Sequence, residues 1–321
     1  MGNDAVGNAM GRFVGRRVSV RQLIGEREGR PLYSDAVGEL VADGSALVVR
    51  TRRGPVRIDP GAVVAVRAVP PAAPRRAGLT AIVALESLCA DAWPAAVDEP
   101  LGQWRLRAAG NFTGRANSAL AIGDPGMPIP DALAAVVAFA EGTGIRPRVQ
   151  VPVGSPWDRA VEQAGWVLNR EHAAGAEVSV LVGELAPMIA QPVPLPVELP
   201  ERPEPEWFRE EYPPLARAVL DPGGTPTVGF GIAREGAVVL GRVRACLVAE
   251  HVHIAMLHTV AAARGRGIAT GMLAAAAAWG AERGARWMVL QVALHNAGAR
   301  SLYGRLGMVE HHRYRYLVPP T

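Results

Sequence analysis

The residues best suited to chemistry lie at Arg264 to Thr270, RGRGIAT, where the apolar stretch HIAMLHTV meets a glycine-rich turn and opens into the alanine-rich run MLAAAAAW. A helix beginning at such a turn leaves its first N–H groups without intrahelical partners, and the aligned peptide dipoles put partial positive charge there. Ile268, Ala269 and Thr270 would supply those outward N–H groups. Gly265 and Gly267 let the backbone approach a ligand without a Cβ in the way, while Arg264 and Arg266 add permanent positive charge. The chemistry that suits this arrangement is binding of a pyrophosphate.

The spacing excludes two common phosphate loops. A nucleoside-triphosphate loop needs a Lys-Ser/Thr pair, and this chain of 321 residues contains no lysine. The dinucleotide fingerprint needs G-x-G-x-x-G and an acid at the end of the following strand. Here the glycine spacing from Gly265 to Gly271 differs, and RWMVLQV is followed by Ala293, Leu294 and His295.

What fits is R-x-x-G-x-A, formed by Arg264, Gly267 and Ala269. Further on, NAGARSLYGRLGM places Asn296, Ala299, Leu302, Tyr303, Leu306 and Gly307 in an N-x-x-A-x-x-L-Y-x-x-L-G pattern. On its own that segment reads as an amphipathic helix capped by Asn296 and ended by Gly307. Together the two motifs resemble the GNAT superfamily of acyl-CoA-dependent N-acyltransferases, from about Thr225 to Leu317. The resemblance implies an α/β (α+β) fold with a central mixed sheet and splayed strands. It also implies that the turn holds the pyrophosphate of acetyl-CoA as co-substrate, that Leu257, Thr259 and Val260 line its pantetheine and carbonyl, and that Asn296 and Ala299 complete the seat.

Acetyl transfer needs donors for an oxyanion and an acid for the departing thiolate. Tyr303 matches the acid of the superfamily. A base must receive the amine proton, and His253, eleven residues before Arg264, is the candidate, since a neutral imidazole suits the task. Against it, HVHIAMLH alternates, so His251 and His253 share one face and could merely cap an exposed strand end. Glu250, His258, Glu210, Glu211 and Tyr212 compete for the role, and Tyr314 and Tyr316 read as packing residues. The alternative is a non-catalytic acyl-CoA sensor or adaptor. No metal is expected.

The elements that must position these residues fall into segments: a disordered N-terminus over 1–12, short strands over 13–70, a linker over 71–80, a mixed region over 81–186, a proline-rich linker over 187–206 and the motif-bearing domain over 207–321. The segment 13–70 alternates with turns at Asp43-Gly44 and Arg53-Gly54 and resembles the SH3-like barrel ahead of some actinobacterial GNAT domains. The mixed region echoes the end of the chain: QVPVGSPWDRAVEQAGW has the layout of QVALHNAGARSLYGRLGM. It reads as a degenerate GNAT repeat, because its turn is GDPGMPIP, whose acid and prolines repel a pyrophosphate and remove donors. Arg115, Asn117 and Ser118 are placed to line an acceptor cleft or to hold a polar turn.

Composition bounds the partners. Residues 1–77 carry 13 Arg against 7 acids, and the remainder 21 against 23. The arginines of the barrel suit nucleic acid, but Phe13 and Tyr33 are its only aromatics, which leaves little for base stacking and favours a protein contact. The expected partner of the enzyme is an amine, either a small molecule or a protein lysine or N-terminus. Glu201, Glu204, Glu206, Glu210 and Glu211 could line an acidic cleft for a polyamine. Two cysteines, no apolar stretch near the ~20 residues a bilayer requires and no signal-like start give a cytoplasmic expectation.

Overall fold

The computed structural model describes residues 10–43, 46–51, 54–69, 77–172, 174–208 and 212–320. It divides into two compact units, Met1–Arg75 and Arg76–Thr321. The linker 71–80 lies outside the described residues up to 76, as do Gly44 and Arg53 of the expected turns.

The first unit follows its alternating pattern into five strands: β1 (Arg17–Arg27), β2 (Arg30–Asp43), β3 (Ala46–Thr51), β4 (Gly54–Ile58) and β5 (Val63–Ala68). They pair antiparallel in the order β4-β3-β2-β1-β5. Inward positions Val18, Val20, Leu40 and Val49 form its core with Met10, which is fully buried although it falls in the stretch expected to be disordered. The expected barrel does not close: among the described residues β4 and β5 remain unpaired edges. Alternation specifies which face of a strand is buried, and closure depends on shear and curvature that it does not encode.

The second unit is built on one sheet of eleven strands. Its first half contains α1 (Leu79–Ala92), β6 (Val97–Leu101), β7 (Trp104–Ala108), β8 (Ser118–Leu120), α2 (Ile129–Thr143), β9 (Val149–Pro152), α3 (Pro156–Gln163), β10 (Val167–Leu168) and β11 (Glu177–Glu184). After α4 (Ala186–Ile189) and α5 (Ala216–Leu220) come β12 (Thr227–Glu235), β13 (Val238–Val248), β14 (His251–Thr259), α6 (Ile268–Ala281), β15 (Trp287–Ala293), α7 (Ala297–Arg305) and β16 (Val309–Val318). The order β12-β13-β14-β15-β11-β16-β9-β8-β7-β6 reads the same from either end as two copies of one motif. Each copy has a single parallel pair, β14 with β15 and β8 with β9.

The two copies exchange their last strands. β11, which ends the first half, lies between β15 and β16 of the second, while β16 pairs with β9 and β10 of the first. The hydrogen bonds of the sheet therefore run through both halves without a break. The proline-rich run packs against the second half, where Leu195, Val197 and Leu199 join the core and Phe230 N–H donates to Pro200 O at 2.9 Å.

Alternation along β14 and β15 sorts the two faces of the sheet. Val252, Ile254, Met288, Leu290 and Val292 face α6 and α7. Val289 faces α1 together with Leu85 and Cys89. The helix α6 lies close on β14, since a Cβ on Gly280 would overlap Cγ2 of Val252, a branched side chain with no free end to move. Gly280→Ala is therefore expected to destabilise this unit by about 1–3 kcal/mol through overpacking, read as a lower urea midpoint without a change in slope.

Candidate active site

The glycine turn adopts the geometry that its sequence requires. Gly265 has φ +79° and Gly267 φ +76°, a left-handed conformation that a side chain strongly disfavours, and a Cβ on Gly265 would meet open space. Gly267 is the residue before the first turn of α6 and has no side-chain cap; the helical ladder begins when Gly271 N–H donates to Gly267 O at 2.9 Å. The N–H groups of Ile268, Ala269 and Thr270 are thus, among the described residues, the unclaimed donors of a 14-residue helix. The two arginines differ. Arg266 pairs with Glu235 at 2.6 Å in an exposed contact, whereas Arg264 makes one long bond, Nε to Thr259 O at 3.4 Å. Arg264 is the more available cation for a phosphate.

Just before this turn, the sheet opens. β14 and β15 pair in parallel only from His251↔Trp287 to Ile254↔Leu290. Beyond that point β15 continues along β11, and β14 continues along β13 after a bulge at Met256, which has φ +54°. Bonds between antiparallel strands alternate in direction. Val260 N–H donates to Leu240 O at 2.9 Å, so His258 and Val260 point at β13, and Leu257 and Thr259 turn their N–H and C=O groups into the open fork. The fork, Leu257, Thr259 and the phosphate seat are consecutive on one stretch of chain.

Tyr303 sits on α7, 7% exposed, in the same apolar cluster as Ile254, Leu290 and Val292. Burial pushes its phenol up to about 12, so it stays protonated and can donate. Its hydroxyl has no hydrogen-bond partner among the described residues. Asn296 Oδ1 accepts from Ala299 N–H at 3.1 Å and caps α7, so these two positions also serve the helix itself.

The α1 face of the fork differs from the sequence expectation. His253 is fully buried and does not cap an exposed strand end. Burial, then the charges of Arg115 and Arg244, hold its imidazole well below the usual 6.5, with Gln291 opposing them weakly. Neither ring nitrogen has a well-aligned hydrogen-bond partner among the described residues. Gln291 is the first residue of β15 beyond the last parallel pair, and Arg115 Nη1 donates to its Oε1 at 2.5 Å. Arg115 and Arg244 both lie over the ring of Trp93, at 4.8 and 5.0 Å.

The remaining candidates separate into structural and distant groups. Asn117 holds a turn, its Oδ1 accepting from Ala109 and Asn111 N–H and its Nδ2 donating to Phe112 and Thr113 O. Ser118 Oγ accepts from the buried Arg107 at 3.0 Å. Tyr314 and Tyr316 are buried and 3.5 Å apart at their hydroxyls. Tyr212 packs on Phe112 with ring centroids 5.2 Å apart. Glu250 precedes β14, where its carbonyl accepts from Arg286 and Trp287, and His258 is exposed on the β13 side. Glu210 and Glu211 lie outside the described residues. Glu201 and Glu204 pair with Arg283 and Arg234. An apolar cavity of about 340 Å³, lined by Ala84, Leu85, Leu88, Val182, His251 and Trp287, opens at the start of β14, the end opposite the fork.

Sequence reasoning missed Trp93, Arg244 and Gln291. Arg244 had a weak signal, since RVRACLV alternates arginines on one face, but nothing local marks the other two. Among the described residues no group of three His, Cys, Asp or Glu is arranged for a metal, and no helix is long and apolar enough to cross a membrane.

The buried His253 makes stability depend on pH. The unfolded chain binds a proton near pH 6.5 that the folded state refuses until much lower pH, so the stability is complete above about 6.5 and is lost as pH falls below it. His253→Gln should take up one proton fewer on unfolding, and its Tm should fall less steeply than that of the parent between pH 7 and 5.5.

Comparisons with known proteins agree with this geometry. A family model described as "Probable histone acetyltransferase Rv0428c C-terminal" matches residues 80–317. The curated protein "Probable histone acetyltransferase Rv0428c" of Mycobacterium tuberculosis is 29% identical over 314 residues, covering 95% of each chain. A GCN5-related N-acetyltransferase from Kribbella flavida shares the fold with a TM-score of 0.57 at 14% identity, over 74% of this chain and 95% of that one. A parallel pair that splays above a glycine turn, together with a family match spanning most of the chain, places this protein in the Rv0428c C-terminal family of GNAT acetyltransferases.

Proposed function

We propose that the protein transfers an acetyl group from acetyl-CoA to an amine by direct attack within a ternary complex. The observation that carries this reading is the continuity of the fork with the turn: open backbone donors at Leu257 and Thr259 lead into the unclaimed donors of Gly265 to Thr270. The turn suits a pyrophosphate, with Arg264, which forms no ion pair among the described residues, as the cation beside it. The fork suits a pantetheine arm, which offers amides to strand edges. Val260 shapes this wall, its N–H being engaged by Leu240. Asn296 and Ala299 fix the start of α7 and thereby the position of Tyr303.

Chemically, the amine nitrogen bonds to the thioester carbon, the C–S bond breaks, and one proton leaves the nitrogen while one reaches the sulfur. Backbone N–H groups at the bulge supply fixed donors for the oxyanion. Tyr303, protonated by virtue of its burial, supplies the proton for the thiolate and recovers it through water. His253 is the base candidate on the α1 face of the fork, but its lowered pKa makes it a weak one. The amine must therefore reach the fork already neutral, a form that nearby positive charge favours. The first half lacks a comparable seat, because Asp124 Oδ1 occupies Gly126 N–H in its turn at 2.8 Å and Pro130 removes a donor from α2. It serves as a wall of the second half. The name of the curated relative adds a lysine-rich protein to the acceptors worth comparing with small amines.

Acetyl-CoA is expected to raise the Tm of the purified protein, and Arg264→Glu to weaken its binding by about tenfold or more in calorimetry, about 1.4 kcal/mol. Absence of both effects would remove the proposal. Tyr303→Phe should lower kcat by about 10²-fold in a thiol-release assay while leaving acetyl-CoA affinity nearly unchanged. An unaltered kcat would assign the acid elsewhere.

A further inference from the structure

The fork of the second half is completed by an arginine of the first. Arg115 stands on the loop between β7 and β8, 176 residues from its partner Gln291, and is half-buried. Its loop is held stiffly. Asn111 and Thr113 have φ of +64° and +62°, a conformation that non-glycine residues adopt only when their surroundings impose it, and Asn117 imposes it through bonds to four backbone groups.

The charge balance on this face is unusual. Arg115 bonds to an amide oxygen and stacks on Trp93, and among the described residues it meets no carboxylate. Arg244, wholly buried, donates to Leu220 O at 2.8 Å and Ala92 O at 2.9 Å, and among the described residues its Nη2 has no well-aligned hydrogen-bond partner. Burial lowers its pKa to about 10; the neighbouring Cys246 thiol and, more weakly, Asp221 oppose this, and among the described residues no carboxylate forms an ion pair with it. Two guanidiniums thus flank one indole beside a neutral imidazole where β14 and β15 part. Buried charge without a counter-charge is costly and is kept where something else supplies the balance. Glu86, which acts through space on the same buried Cys89 and Tyr314 as Arg115 does, is spent on His312 Nε2 at 2.6 Å and Gln150 Nε2 at 2.7 Å.

We infer that the acceptor is an amine that also carries a carboxylate, an amino-acid-type substrate, and that Arg115 is the residue that binds its carboxylate. This rests on the acetyltransferase reading above. A guanidinium presents a planar fork of donors that matches a carboxylate, and the amide oxygen of Gln291 holds that fork until an acid arrives. The same positive face lowers the amine's pKa and so delivers it neutral. A polyamine or a lysine-rich segment would instead bring like charge to two guanidiniums.

The test is thiol release from acetyl-CoA by the full chain, with a pool of the common free amino acids in one arm and spermidine and a lysine-rich peptide in the other. The expected result is activity in the amino-acid arm at least about tenfold above the cationic arm. Arg115→Gln should raise the acceptor KM by about tenfold or more while kcat changes little, and Arg115→Lys should recover part of the loss. The thermal shift with acetyl-CoA should survive in both variants, which also shows that they fold. Preference for the cationic arm, no release in either arm, or an unchanged KM in Arg115→Gln would overturn the inference. A retained acetyl-CoA shift in the parent would confine that failure to the acceptor, whereas its absence would mean that the acetyltransferase reading itself had failed.

Discussion

The structure depends on the parting of β14 from β15. Four parallel pairs hold the strands together through Ile254 and Leu290, and beyond them each strand is claimed by its outer neighbour, β13 on one side and β11 on the other. The bulge at Met256 reverses which backbone groups of β14 face outward. Without it, the residues leading to the glycine turn would present different edges to the opening. Backbone polar groups left unpaired inside a sheet are costly unless a partner arrives. A fork of this kind suits a ligand with amides of its own, as the proposed function requires.

Strand exchange makes this opening a property of the whole second unit. β11 comes from the first half, yet it is the strand that draws β15 away from β14. β16 returns the exchange by pairing with β9. The loop carrying Arg115 reaches the fork because its own half is fastened to the same sheet. The first half thereby contributes one strand, one covering helix and one guanidinium to the surroundings of the fork.

The glycine turn, α6, the strand before it and the capped α7 were legible in the sequence because their signals are local. Glycines mark left-handed positions, Asn296 marks a helix start, and alternation marks the buried face of a strand. Exchange was not legible, since EVSVLVGE and VEHHRYRYLV each read as ordinary strands and nothing within them names a neighbour. Partnerships at long range were equally silent. His253 is held down first by its burial and then by Arg115 and Arg244, which arrive from a distant loop and another strand, so an imidazole that looks suited to be a base in sequence is a buried, weakly basic group in the fold. The first unit shows the same limit, where strands were legible and closure was not.

In the proposed function the fork and its glycine turn form one acetyl-CoA seat. Backbone amide exchange measured with and without acetyl-CoA tests this most directly, because the seat consists of particular N–H groups. Protection is expected at Leu257, Thr259 and Gly265 to Thr270, with the turn from Gly123 to Pro130 of the first half unchanged. Protection at that first-half turn, or none along Leu257 to Thr270, would contradict it.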